Sequence, residues 1–149
     1  ENYGPLYKVV GENFDEMVAD SDTDVFLEVY APWCGHCKEL APTIKKLAKR
    51  FKDVPTVKIC DMDGTANEHP LVKDAKGFPA IYFFPAGGKG VRIPWDEEEK
   101  RTVGGFTRFI QANAKHPFEL PKIKSKEEKA AEREAKRKAK EYEEAHEEL

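Results

Sequence analysis

Val25-Phe26-Leu27-Glu28-Val29-Tyr30-Ala31-Pro32-Trp33-Cys34-Gly35-His36-Cys37 is the stretch that decides the fold. Its first six residues are an apolar run broken by one glutamate, the pattern of a strand buried on both faces. Helical periodicity then runs from Gly35 to Lys52, with Leu40, Ile44, Leu47, Ala48 and Phe51 on one face. Pro42 inside that helix predicts a kink. Cys34 and Cys37 therefore stand where a buried strand opens into a helix N-terminus. Unpaired N–H groups and the macrodipole favour an anion there. The thiolate is the nucleophile of sulfur chemistry, and such positions lower a thiol pKa below its ordinary value of about 8.5. Two intervening residues bring Cys37 back one helical turn to Cys34. Gly35 gives the turn room. His36 sets a protonatable ring beside the thiolate, which favours the reduced form and makes a disulfide here more oxidising.

Working outward, Tyr7–Val10 reads as a short strand. Asn13 and Glu16 have capping-box spacing ahead of a helix reaching Ala19, and Asp20–Asp24 is a polar turn. Thr56–Met62 is the next strand, Thr65–Lys76 a weak helix, and Ile81–Phe84 a strand. Gly87–Gly90 turns the chain into Val91–Trp95, Asp96–Glu99 is an acidic, solvated loop, and Thr102–Ala114 is a helix. The alternation predicts an α/β fold: a mixed central sheet with helices on both faces. Residues 1–120 form the expected globular domain. His116–Lys124, with Pro117 and Pro121, reads as a linker, so 121–149 is linker plus a charged helical tail. Residues 125–149 carry seven Lys/Arg and nine Glu with a single Leu. Glu132–Lys136 and Glu134–Lys138 are favourable i,i+4 pairs, and no apolar stripe gives the tail helix a face to pack.

The net charge of −3 argues against a nucleic-acid binder, which would show a basic face. No run of about 18 apolar residues is present to cross a membrane. Glu1 in place of an initiator predicts a mature chain or an excised fragment. Three cysteines are too few for a disulfide-stapled miniprotein. Zinc is the competing use of Cys34 and Cys37, but four ligands are usual, and Cys60 and His69 are the only further candidates of note. Cys60 lies in a core strand, where a free thiol acts as a small hydrophobe. The expectation is no metal and no cofactor. Glu28 is the other anomaly, because a carboxylate in a buried strand is costly without a task or a partner.

Ala31-Pro32-Trp33-Cys34-Gly35-His36-Cys37-Lys38 resembles the active-site signature of the protein disulfide isomerase family. Gly77-Phe78-Pro79-Ala80 resembles that family's loop with a cis-proline before a strand, Asp63 with Thr65-Ala66-Asn67 also fits, and Arg101-Thr102-Val103 resembles its arginine at the start of the last helix. The resemblance covers about residues 6 to 115 and implies a thioredoxin fold. It also implies a dithiol that forms and rearranges disulfides in secretory proteins of the endoplasmic reticulum lumen. Unfolded or partly folded protein thiols and disulfides would be the substrates, with glutathione or an oxidase as redox partner and chaperone-like binding alongside. Cys34 matches the nucleophile and Cys37 the resolving thiol. Pro79 matches the cis-proline whose neighbours pair with an extended peptide, and Trp33, Phe78 and Ala80 would supply an apolar rim. Glu28 matches a glutamate that moves protons to and from the resolving cysteine, and Arg101 an arginine that favours its thiolate. Two rivals are a reducing, thioredoxin-like enzyme and a binding module with poor turnover.

Two departures stand out. Asp61 falls where the family usually has a lysine facing the buried glutamate, which would leave Glu28 without a cation, since Lys58 lies on the other sheet face. The acidic Asp96–Glu99 loop replaces the usual approach to Arg101. The chain ends in His146-Glu147-Glu148-Leu149, which resembles a variant of the endoplasmic reticulum retention signal. The family usually joins several such domains, so this chain is expected to be the last domain of a longer one.

Overall fold

A computed structural model describes residues 2–120 and 125–147. Six strands, β1 (Asn2–Tyr3), β2 (Leu6–Val9), β3 (Asp24–Tyr30), β4 (Val57–Asp63), β5 (Ala80–Phe84) and β6 (Ile93–Pro94), form one sheet in the order β1-β2-β4-β3-β5-β6. Strands β2, β4 and β3 run parallel, while β5 pairs antiparallel with β3, β6 with β5 and β1 with β2. Helices α1 (Gly35–Arg50), α2 (Val103–Asn113) and α3 (Lys126–His146) complete the elements. The chain divides into two compact units between Phe118 and Glu119. The first holds the sheet with α1 and α2, the second α3.

Strand β3 lies between β4 and β5, so both its faces are buried, as its unbroken apolar run requires. Val25, Leu27 and Val29 pack with Cys60, Met62, Tyr82 and Phe84 under Phe14, Val18 and Val72. The alternate residue Phe26 meets the α2 rings of Phe106 and Phe109 at 5.1 and 6.5 Å. Cys37, Leu40, Ile44, Leu47 and Ala48 are the buried stripe of α1, so the second cysteine belongs to the core face of its own helix. The helix runs through Pro42 without a break.

Three local expectations change. Asn13 does not cap forward: its Oδ1 accepts the N–H of Val10 at 2.8 Å, and a 3-10 turn (Gly11–Asn13) leads into a π-helical turn (Asp15–Ala19). Residues 65–76 form turns, not a helix. There the Asp63 Oδ1 accepts the N–H and hydroxyl of Thr65 at 2.9 and 2.6 Å, and Asn67 donates to the Asp63 carbonyl at 3.1 Å. Such side-chain bonds compete with helix formation, and Pro70 lacks the N–H a helix interior needs. Only Ile93 and Pro94 of the expected Val91–Trp95 strand pair with β5.

In α3, Ser125 caps the N-terminus by accepting the Glu128 N–H at 3.1 Å. Lys136–Glu132 and Lys138–Glu134 pair at 3.3 and 3.7 Å, and no residue of this helix is buried. Part of the expected linker (121–124) and the last two residues of the terminal tetrapeptide lie outside the described residues. No described helix is long and apolar enough to cross a membrane.

Candidate active site

Cys34 is the N-cap of α1. Its backbone is extended, at φ −80° and ψ 120°, and its Sγ accepts the N–H of Cys37 at 3.3 Å. A thiol here takes the place that Ser, Thr or Asp usually fills at a helix start. The C-x-x-C spacing is thus the reach of a capping side chain to the third helical N–H. The Sγ also donates to the Phe78 carbonyl at 3.5 Å. Only 8% of Cys34 and 4% of Cys37 is exposed.

The two thiols differ electrostatically. The Cys37 side chain, with the N–H groups of Cys37 and His36 and the Arg101 charge, holds Cys34 below the ordinary thiol range against the effect of desolvation. Burial, then the Cys34 contact, pushes Cys37 up to about 11. His36 contributes its backbone N–H, and its ring is 79% exposed and lies 3.8 Å from Glu39. Gly35 is not needed for room, because a Cβ built there would meet nothing within 4 Å.

Beside the dithiol, the Phe78–Pro79 peptide bond is cis. The Trp33 ring, 70% exposed, meets Phe78 edge-on at 5.9 Å. A cleft of about 400 Å³ runs past Phe78, Pro79 and Ala80 to Trp95, Glu97 and Arg101. Arg101 pairs with Glu97 at 2.9 Å, so the acidic loop is not merely solvated. Gly64, which the sequence reading passed over, fixes Phe78. A Cβ on it would come within 2.7 Å of both Phe78 and Val29, and its N–H donates to the Tyr30 carbonyl at 2.8 Å.

Glu28 and Asp61 are direct partners in the β3–β4 register, and both are buried. Asp61 therefore lies beside Glu28, as the sequence left open. Glu28 is not without a cation. Lys8 of β2 is the register partner of Asp61 on its other side, and its Nζ bonds Asp61 Oδ2 at 2.8 Å. Burial, then the Asp61 charge, raises the Glu28 carboxyl to about 8, against the pull of Lys8 and Arg101. Burial also raises Asp61, against the hydrogen bond and charge of Lys8. Lys8 is raised despite its own burial, because Asp61 holds its proton. A cavity of about 230 Å³ between α1 and the sheet is lined by Lys8, Glu28, Asp61 and Cys37, with Tyr30 and Lys45 at its side.

The other metal-ligand candidates lie elsewhere. Cys60 is fully buried among apolar residues on the opposite sheet face, where burial pushes its thiol to about 12. His69 bonds Asp15 at 2.7 Å and stacks on Phe14 at 3.8 Å. Among the described residues no group of three or more His, Cys, Asp or Glu is placed to hold a metal ion.

A model of the thioredoxin family matches residues 5–112, and the chain belongs to that family. Its likeness is specifically to the domains of protein disulfide isomerases. It is 52% identical over 119 residues to protein disulfide isomerase-like 1-4 of Arabidopsis thaliana, covering 80% of this chain and 20% of that protein. It is 46% identical over 113 residues to protein disulfide-isomerase A3 of Gallus gallus, covering 76% and 22%. The chain thus spans about a fifth of the length of these relatives. The solution structure of the first thioredoxin domain of mouse protein disulfide-isomerase A4 matches it at 31% identity with a TM-score of 0.65, over 84% of this chain and 87% of that one. The fold is thus a thioredoxin fold, and Cys34 and Cys37 form its C-x-x-C redox pair.

Proposed function

We propose that this chain forms and rearranges disulfides in unfolded or partly folded proteins of the endoplasmic reticulum lumen. The unequal pair of thiols carries the reading: a low-pKa Cys34 at the helix cap and a shielded Cys37 near 11. The Cys34 thiolate attacks a substrate disulfide. A Cys34–substrate S–S bond forms, and the substrate's other sulfur leaves as a thiolate. Cys37 then gives its proton to the Glu28 carboxylate and attacks Cys34 Sγ. The Cys34–Cys37 bond forms, the mixed disulfide breaks, and the substrate leaves as a second thiolate. The two enzyme thiols are oxidised and one substrate disulfide is reduced; the reverse course inserts a disulfide. Isomerisation needs only the first attack and an internal return.

Arg101, released from Glu97, would favour the Cys37 thiolate. Trp33, Phe78, Pro79 and Ala80 would hold an extended peptide along the cleft. Glutathione or an oxidase would reset the pair. The likeness to protein disulfide isomerases supports the compartment, and the chain spans about a fifth of the length of those relatives. Cys37→Ala should trap substrates as mixed disulfides on Cys34 and Cys34→Ala should trap few, while the unmodified chain restores activity to a scrambled disulfide-bearing model protein. Equal trapping by both variants would overturn the assignment, and binding of the scrambled protein without reactivation would leave a holding module.

A further inference from the structure

We infer that Lys8 is a positioning residue for proton exchange at the dithiol: through its ion pair with Asp61 it sets the pH at which Glu28 can take the proton of Cys37. The inference rests on the role given to Glu28 above and adds a control that the sequence around the motif does not contain. The register places Lys8, Asp61 and Glu28 in one row across β2, β4 and β3. All three line the same cavity as Cys37.

The row is only partly satisfied. Asp61 Oδ2 is bonded to Lys8, but Asp61 Oδ1 and Glu28 Oε2 are buried with no hydrogen-bond partner among the described residues. A buried polar atom without a partner is costly, and a structural ion pair would be expected to use both carboxylate oxygens. The cavity of about 230 Å³ has space for water beside those two oxygens. Lys8, whose side chain is 31% exposed, lines the same cavity as the resolving thiol.

The two members of the ion pair act on Glu28 with opposite sign. Asp61 is the neighbouring anion and opposes a charge on Glu28, whereas Lys8 favours one. The other charged or titratable groups facing the row are Tyr30 from β3, Lys38 and Lys45 from α1, and Arg101 ahead of α2. None of these bonds Asp61 as Lys8 does. Removing Asp61 takes away the neighbouring anion, so Glu28 becomes easier to ionise. Removing Lys8 leaves two adjacent buried carboxyls sharing protons, so that Glu28 ionises only at higher pH. A purely structural bridge would cost stability in both variants without moving the pH profile of release.

The test is made on the full chain by carboxyl carbon NMR of Glu28, together with the pH profile of single-turnover release of glutathione from a Cys34–glutathione mixed disulfide. Asp61→Asn should move the Glu28 midpoint and the alkaline rise in release to lower pH by about one pH unit, and Lys8→Met should move both to higher pH by a similar amount. Lys8→Arg should restore the original profile. Should Lys8→Met fail to fold, Lys8→Gln must move in its direction. Shifts of the same sign in the Asp61 and Lys8 variants, or no shift in either, would overturn the inference. The Glu28 titration is read without turnover. Absence of release from the unmodified chain would therefore count against the proposed function, not against the control of Glu28 by Lys8 and Asp61.

Discussion

Strand β3 buries two carboxylates on the same face and treats them oppositely. Asp24, fully buried, accepts three backbone N–H groups: Ala86 at 2.8 Å, Lys115 at 3.0 Å and His116 at 3.1 Å. Glu28, at 3% exposure, keeps Oε2 without a partner and sits beside another carboxylate. Asp24 ties β3 to the end of β5 and the end of α2. Glu28 ties nothing and lines a cavity reaching Cys37. A carboxylate fully bonded to backbone fixes a fold, while one left wanting at the same depth is available for chemistry.

Breaking the satisfied site should cost most. Asp24→Ala strands three N–H groups and should destabilise the domain by about 3 kcal/mol or more in urea titration. Asp24→Asn, which keeps one acceptor oxygen, should lose less. Neither should move the pH profile of exchange.

Glu28→Gln should do the reverse. It should slow release of a Cys34 mixed disulfide by about a hundredfold while stabilising the fold at neutral pH. The Glu28 carboxyl is raised from 4.5 to about 8 in the folded state. The folded chain therefore holds a proton that the unfolded chain has lost. Glu28 lends its full stability below about pH 4.5 and loses it as pH rises through about 8. The loss amounts to about 3–5 kcal/mol on the linkage relation. Urea titrations at pH 5 and pH 8 should show that loss in the unmodified chain and its removal in Glu28→Gln.

Gly64→Ala sharpens the comparison on the opposite side of the dithiol. Its Cβ would press on Phe78 and Val29, costing about 1–3 kcal/mol. Exchange should fall several-fold through displacement of Phe78, with the pH midpoint unchanged. A shifted midpoint would mean that the cleft and the carboxylates are coupled.

Strand β3, the C-x-x-C at a helix start and the final helix were legible because each is written in contiguous residues: an apolar run, a spacing and a 3.6-residue period. Glu28 was legible as an anomaly, being one acid in that run. Lys8 was not, since it lies 53 residues from Asp61 and only the β2–β4 register joins them. Reading along β4 alone left Lys58 as the nearest cation, on the wrong face. Residues 65–76 carried enough apolar residues to suggest a helix, but Asp63, Asn67 and Pro70 direct the backbone into turns. Gly64 could have been noticed as a glycine closing a strand, yet its contact with Phe78 is tertiary and has no local signal.

The difference between the two thiols is tested most directly by alkylating the reduced full chain with iodoacetamide across pH 5 to 9 and mapping the label by mass spectrometry. Cys34 should be modified first and already at mildly acidic pH, Cys37 only slowly at the alkaline end, and Cys60 not until the chain unfolds. Labelling of Cys37 before Cys34, or of both at one rate, would contradict the account.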